Sequence, residues 1–170
     1  MKRSFLFFAL FVFCFSFLYS QDEKQNAKLP SVVVKTLDQK QINSNEFSND
    51  GKPFVVCFWA TWCKPCLAEL SAMAELYSSL QEETGIKIYA VSIDDARTVS
   101  KVKPLINSRD WEFEVILDEN SELRRAMGVN NPPHTFIIGS NGEILWQHVG
   151  YAVGDEEAMI EEYKKIAKEK

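Results

Sequence analysis

The stretch from Phe54 to Leu70 constrains this chain more than any other. Phe54 to Trp59 is apolar at every position, and after Ala60-Thr61-Trp62 come two cysteines, Cys63 and Cys66, with only Lys64 and Pro65 between them. An apolar run without alternation is what a central strand covered on both faces must be. From Lys64 to about Glu83 the apolar residues Leu67, Leu70, Ala74, Tyr77 and Leu80 recur at intervals of three and four, which predicts one buried helical stripe, and Gly85 stops it. The two thiols therefore sit where a buried strand feeds a helix. Thiols with two residues between them can close into a small disulfide ring and reopen, and a helix N-terminus beside them favours the thiolate. The stretch predicts a dithiol switch.

The flanking chain supplies further elements of the same kinds. Ser31 to Leu37 reads as a strand, with Asp38-Gln39-Lys40 turning it into Gln41-Ile42-Asn43, an N-terminal hairpin. Ile86 to Ile93 is a second central strand. Val99, Val102, Leu105 and Ile106 outline a second helix, with a kink expected at Pro104. Trp111 to Leu117 reads as another strand, and Ser121 to Met127 as a short helix closed by Gly128. His134 to Ile138 is a strand that turns at Asn141-Gly142 into Ile144-Leu145-Trp146. A last helix starts near Asp155 and buries Ala158, Met159, Tyr163 and Ile166. Strands alternating with helices, followed by a hairpin and a terminal helix, predict an α/β sandwich around a mixed central β-sheet flanked by helices.

The chain's 170 residues accommodate one domain plus a targeting segment. Met1-Lys2-Arg3, an apolar, Phe-rich run from Phe5 to Tyr19, and the polar Gln21-Asp22-Glu23-Lys24 form a secretory signal pattern. Residues 1–20 are accordingly expected to be a signal peptide cleaved after Ser20, or a membrane anchor if retained. Residues 21–29 are expected to be a linker and residues 30–170 the folded domain. Cleavage removes Lys2 and Arg3 and no acid, taking the formal net charge from −5 to −7. Such a surface offers nucleic acid no footprint. Cys14 falls inside the leader, so Cys57, Cys63 and Cys66 remain, too few for a disulfide-stapled scaffold.

With these elements in place the chain resembles the thioredoxin superfamily, and within it the exported TlpA/ResA-type thiol-disulfide oxidoreductases, over roughly residues 30–170. The residues that carry the resemblance are Phe58 to Cys66, Glu69, Val91-Ser92-Ile93-Asp94, and Pro133-His134-Thr135-Phe136 ahead of Asn141-Gly142. It implies a thioredoxin-like sandwich and a Cys63–Cys66 disulfide. Cys63 would be the nucleophile, supported by the helix N-terminus and by Lys64, with Pro65 between the cysteines and Cys66 as the resolving thiol. Glu69, one turn past Cys66, would exchange its proton. Pro133 would be a cis-proline packed against the dithiol and, with Trp62 and Pro132, would contact substrate. His134 would approach the sulfurs and tune them.

Some positions depart from the family pattern. Thioredoxins carry a buried aspartate where this chain has Cys57, so Glu69 is expected to replace it as proton acceptor, and Cys57 reads as a small buried hydrophobe. Ser71 stands where many relatives kink the helix with proline, which predicts a straighter helix. Pro132 has no N–H, so one main-chain hydrogen bond to an extended substrate is lost. His148 is assigned to structure. The resemblance also implies no cofactor, protein disulfides as substrates, electrons from a membrane thiol donor, an extracytoplasmic location, action as a reductant in cytochrome c maturation or redox homeostasis, and a monomer.

Other chemistries fit less well. Structural zinc wants four ligands, and only His134, His148 and Cys57 stand beyond the pair. A peroxiredoxin nucleophile usually follows a Thr-x-x-Cys pattern, whereas here Thr61-Trp62 leads directly to Cys63. The alternative from another class is a copper-handling protein holding Cu(I) through Cys63, Cys66 and His134.

Overall fold

A computed structural model describes residues 27–168. The expected leader at residues 1–20, Cys14 and most of the linker lie outside the described residues. Seven strands, β1 (Val33–Thr36), β2 (Gln41–Asn43), β3 (Phe54–Trp59), β4 (Ile88–Ser92), β5 (Glu114–Leu117), β6 (His134–Ile138) and β7 (Ile144–Val149), form one sheet in the order β2-β1-β5-β4-β3-β6-β7. The helices are α1 (Lys64–Thr84), α2 (Val102–Ser108), α3 (Glu122–Ala126) and α4 (Asp155–Lys168). β3, β4 and β5 run parallel to one another, while β6, β7 and the β1–β2 hairpin pair antiparallel. This is the mixed sheet expected from the sequence.

β3 and β4 are buried at every residue because helices cover both faces of the sheet centre. β7, at the sheet edge, has no fully buried residue: Ile144 to Trp146 and His148 are half-buried, Gln147 and Val149 exposed. α1 is one uninterrupted helix, closed by Gly85 in the left-handed region (φ 70°), where a side chain would be strained. At Ser71 the hydroxyl donates to the Leu67 carbonyl and accepts from Arg109 Nη1 at 2.7 Å. The backbone there continues as helix where a proline would have broken the ladder.

Several elements differ from the sequence reading. Only Glu114–Leu117 of the expected strand from Trp111 pairs with neighbours; Trp111 and Phe113 are buried in the preceding loop, packed edge-on against Trp59 and Tyr77. Burial in a loop gives the same apolar signature as burial in a strand. The second helix divides into a 3₁₀ turn, Val99–Lys101, and α2, which places Pro104 in the first turn of α2, where its missing N–H removes no helical bond. α1 buries Cys66, Glu69, Leu70, Met73, Tyr77 and Leu80, with Leu67 and Ala74 only half-buried. α4 buries Ile160 rather than Ala158 beside Met159, Tyr163 and Ile166. Ala27 to Leu29, assigned to the linker from sequence, are tied to the start of β7: Leu29 N–H donates to Gly142 O, and Ile144 N–H donates to Ala27 O, both at 2.8 Å.

Candidate active site

The site forms at the C-terminal end of β3, the point where the parallel part of the sheet hands the chain to α1. Cys63 occupies the N-cap of α1 in an extended conformation, and the Cys66 N–H donates to its sulfur at 3.3 Å. A sulfur in that position faces the unsatisfied N–H groups and the positive end of the helix dipole. Pro65 stands in the first turn, where its fixed φ suits a helix start. Cys63 and Cys66 are joined in a disulfide with Cα atoms 5.3 Å apart. Cys63 keeps 6% of its surface in contact with solvent and Cys66 none. An incoming thiolate can therefore reach only Cys63. Trp62, 56% exposed, stands beside it as an apolar collar, with Lys64 and Pro65 also at the surface.

Behind the disulfide, Glu69 lies one helical turn past Cys66 and is buried. Its Oε1 accepts from the Thr135 hydroxyl at 2.8 Å and its Oε2 from the Cys57 thiol at 3.3 Å. Cys57 and Thr135 are direct partners across β3 and β6, so both point to the α1 side of the sheet. Burial pushes the Glu69 carboxyl above the ordinary carboxylate range, and the Thr135 and Cys57 hydrogen bonds oppose it without prevailing. Burial pushes the Cys57 thiol up, with the nearby Glu69 charge adding to the effect. Cys57 thus acts as a neutral hydrogen-bond donor to the carboxylate.

The folded-state pKa of Glu69 exceeds its unfolded value of about 4.3, so its contribution is fully present below that pH and is lost as pH rises through the folded pKa. Denaturant midpoints measured from about pH 4 to 8 are expected to fall with rising pH relative to those of Glu69→Gln, in which this loss is missing.

The approach to Cys63 is held by a residue whose role the sequence reading left open. Asp94, just past β4 and buried, accepts from the Thr61 N–H at 2.8 Å, the Thr61 hydroxyl at 2.6 Å and the Ser92 hydroxyl at 2.9 Å. An acid two residues past a buried strand, with a hydroxyl residue in the other strand's loop, was the available signal. Asp94→Ala leaves these donors unpaired in a closed site and is expected to cost about 3 kcal/mol in urea unfolding.

The remaining sequence candidates fall on the other side of the strand end. The Pro132–Pro133 bond is cis, and the Pro133 carbonyl accepts from the Gly150 N–H. His134 follows, buried, with its ring stacked on Phe136 (centroids 4.1 Å apart) and its Nε2 3.0 Å from Gln147 Oε1. Adjacent strand residues point to opposite faces, so this ring lies on the face away from Thr135 and Glu69. Burial lowers its pKa. Among the described residues no three His, Cys, Asp or Glu side chains are gathered as metal ligands.

Comparison with known proteins decides the affiliation. Residues 25–147 match the AhpC/TSA family. The chain belongs to this family. Within it, the thiol-disulfide oxidoreductase ResA of Bacillus cereus is 33% identical over 149 residues, which cover 86% of this chain and 82% of the relative. ResA of Bacillus thuringiensis is 32% identical with the same coverage. Among solved structures, a thioredoxin-like protein from Porphyromonas gingivalis shares 43% identity at a TM-score of 0.75, covering 85% of this chain and 95% of the other. A putative thiol:disulfide interchange protein DsbE from Chlorobium tepidum shares 25% at a TM-score of 0.71, covering 84% and 96%. The sheet order and helices are those of a thioredoxin-like fold, and the chain is a thiol-disulfide oxidoreductase of ResA type with Cys63 and Cys66 as its pair.

Proposed function

We propose that this oxidoreductase is an exported reductant of protein disulfides. The observation that supports it best is the graded enclosure of the pair: Cys63 with a small edge open to solvent, Cys66 sealed, and a buried carboxyl one turn behind. In the dithiol form the Cys63 thiolate attacks a substrate disulfide, forming a mixed disulfide and releasing one substrate thiolate. Glu69 takes the proton of the Cys66 thiol, and the Cys66 thiolate attacks the Cys63 sulfur. The second substrate thiolate leaves, and the Cys63–Cys66 disulfide remains. Two electrons pass to the substrate, and a membrane dithiol donor returns the enzyme to its starting state, with Glu69 giving its proton back to Cys66.

The leader pattern supports an extracytoplasmic location, with anchoring to the membrane if the leader is retained; among the described residues no helix is long and apolar enough to cross a bilayer. Cytochrome c maturation and general redox homeostasis outside the cytoplasm both fit a monomeric reductant that works without cofactor. Trp62 and the half-buried Pro132 form the substrate-contacting surface, with the buried Pro133 behind them. Pro132 offers no N–H, so an extended substrate segment pairs there through one hydrogen bond fewer. His134, behind Pro133, supports that loop.

Reduction potential is the decisive measurement. A Cys63–Cys66 value near thioredoxin's, about −270 mV, together with reduction of insulin disulfides, is the expected result. A value near −120 mV would make the protein an oxidant. Stoichiometric copper in reduced protein lacking reductase activity would replace the reading altogether.

A further inference from the structure

We propose that His148 and Asp155 are positioning residues of the dithiol reaction, which set the readiness of Glu69 to give up or take a proton. The inference rests on the proton-exchange role given to Glu69 above.

On the sheet, Thr135 and His148 are direct partners across β6 and β7, so their side chains rise from the same face. Such partners have Cβ atoms about 5 Å apart. The Thr135 hydroxyl is the group that donates to Glu69 Oε1. Viewed from the carboxyl, His148 therefore stands next behind Thr135, toward the sheet edge. Its Nε2 lies 3.2 Å from Asp155 Oδ2, and its ring stacks on Trp146. Asp155 opens α4, and the same oxygen accepts the Ala152 N–H at 2.7 Å, which fixes the carboxylate in place. The two side chains are 40% and 36% exposed, so the pair meets bulk water while Glu69 does not.

The charges act on Glu69 with opposite sign. A positive His148 favours the Glu69 carboxylate, and the Asp155 carboxylate favours the protonated acid. The other titratable groups facing this cluster are Glu69 itself from α1, Cys57 from β3, and Tyr151 from the loop before α4, whose hydroxyl donates to Glu156 of α4. The His148 ring and the Asp155 carboxylate thus bias the same buried carboxyl in opposite directions, so removing either one changes how readily Glu69 accepts the Cys66 proton or returns it. No oxidant or reductant is needed beyond the thiol exchange, since only a proton moves.

The test is a titration of the Glu69 side-chain carboxyl by carbon NMR in the full chain, in wild type, His148→Gln and Asp155→Asn, alongside the pH profile of mixed-disulfide resolution. The expected result is a several-fold increase in Glu69 proton affinity in His148→Gln and a several-fold decrease in Asp155→Asn, with the rate profiles moving the same way. Asp155→Ser, which keeps an acceptor for Ala152, replaces Asp155→Asn if that variant does not fold. Unmoved titration, or movement in the same direction in both variants, overturns the inference. Should Glu69→Gln leave the resolution rate unchanged, the catalytic role of Glu69 falls instead, and the carboxyl titration still decides whether His148 and Asp155 govern it.

Discussion

Mixed with a disulfide substrate, a Cys66→Ser variant is expected to accumulate a covalent adduct through Cys63, close to one per protein, visible on non-reducing gels and in intact mass. Cys63 still attacks, because its capping position and the helix N-terminus are unchanged. The second step then lacks its thiolate, since no other sulfur among the described residues stands in the N-terminal turn of α1; Cys57 lies on β3, buried and engaged with Glu69. Turnover falls to background. Cys63→Ser, by contrast, forms no adduct, because the remaining Cys66 is sealed from solvent. An adduct through Cys66 instead would reverse the assigned roles.

Glu69→Gln should slow resolution of the mixed disulfide by about 10²-fold, the lower end of what a positioned acid or base contributes. Glutamine preserves the size of the side chain and the hydrogen bond from Thr135, so a merely structural role would show as lost stability with an unchanged rate profile. In wild type the resolution rate rises as pH passes through the raised Glu69 pKa, where the carboxylate form appears. The variant loses that limb. Thr135→Val removes a donor that favours the carboxylate, so its limb is displaced to higher pH. Stopped-flow measurement of the second step across pH, with the three proteins side by side, separates these outcomes.

Much of this site was legible before any coordinates. Phe54–Trp59 had to be a central strand because no position was polar, and Gly85 had to end the helix because only glycine accepts its backbone without strain. Glu69 was placed near Cys66 by helical spacing alone. Spacing did not say that the carboxyl would be buried, since an apolar stripe drawn through Leu67 and Ala74 leaves Glu69 at its margin. The buried face keeps Leu70, Tyr77 and Leu80 but takes in Cys66, Glu69 and Met73 in place of Leu67 and Ala74, which brings the carboxyl to the Cys57 and Thr135 donors.

Local sequence, then, determined the strand, the helix, the adjacency of the two thiols and the turn types, because each depends on residues within a few positions of one another. Tertiary structure decided the rest. Thr135 lies 66 residues from Glu69, and His148 a further strand away, so their relation to the carboxyl exists only once β6 pairs antiparallel with β3 and β7 with β6. The same pairing sends His134 to the opposite face, a one-residue difference along the strand that no spacing to the cysteines can reveal. Register across the sheet, set by the burial of one face against another, is what gathers around the buried Glu69 carboxyl residues that the chain keeps far apart.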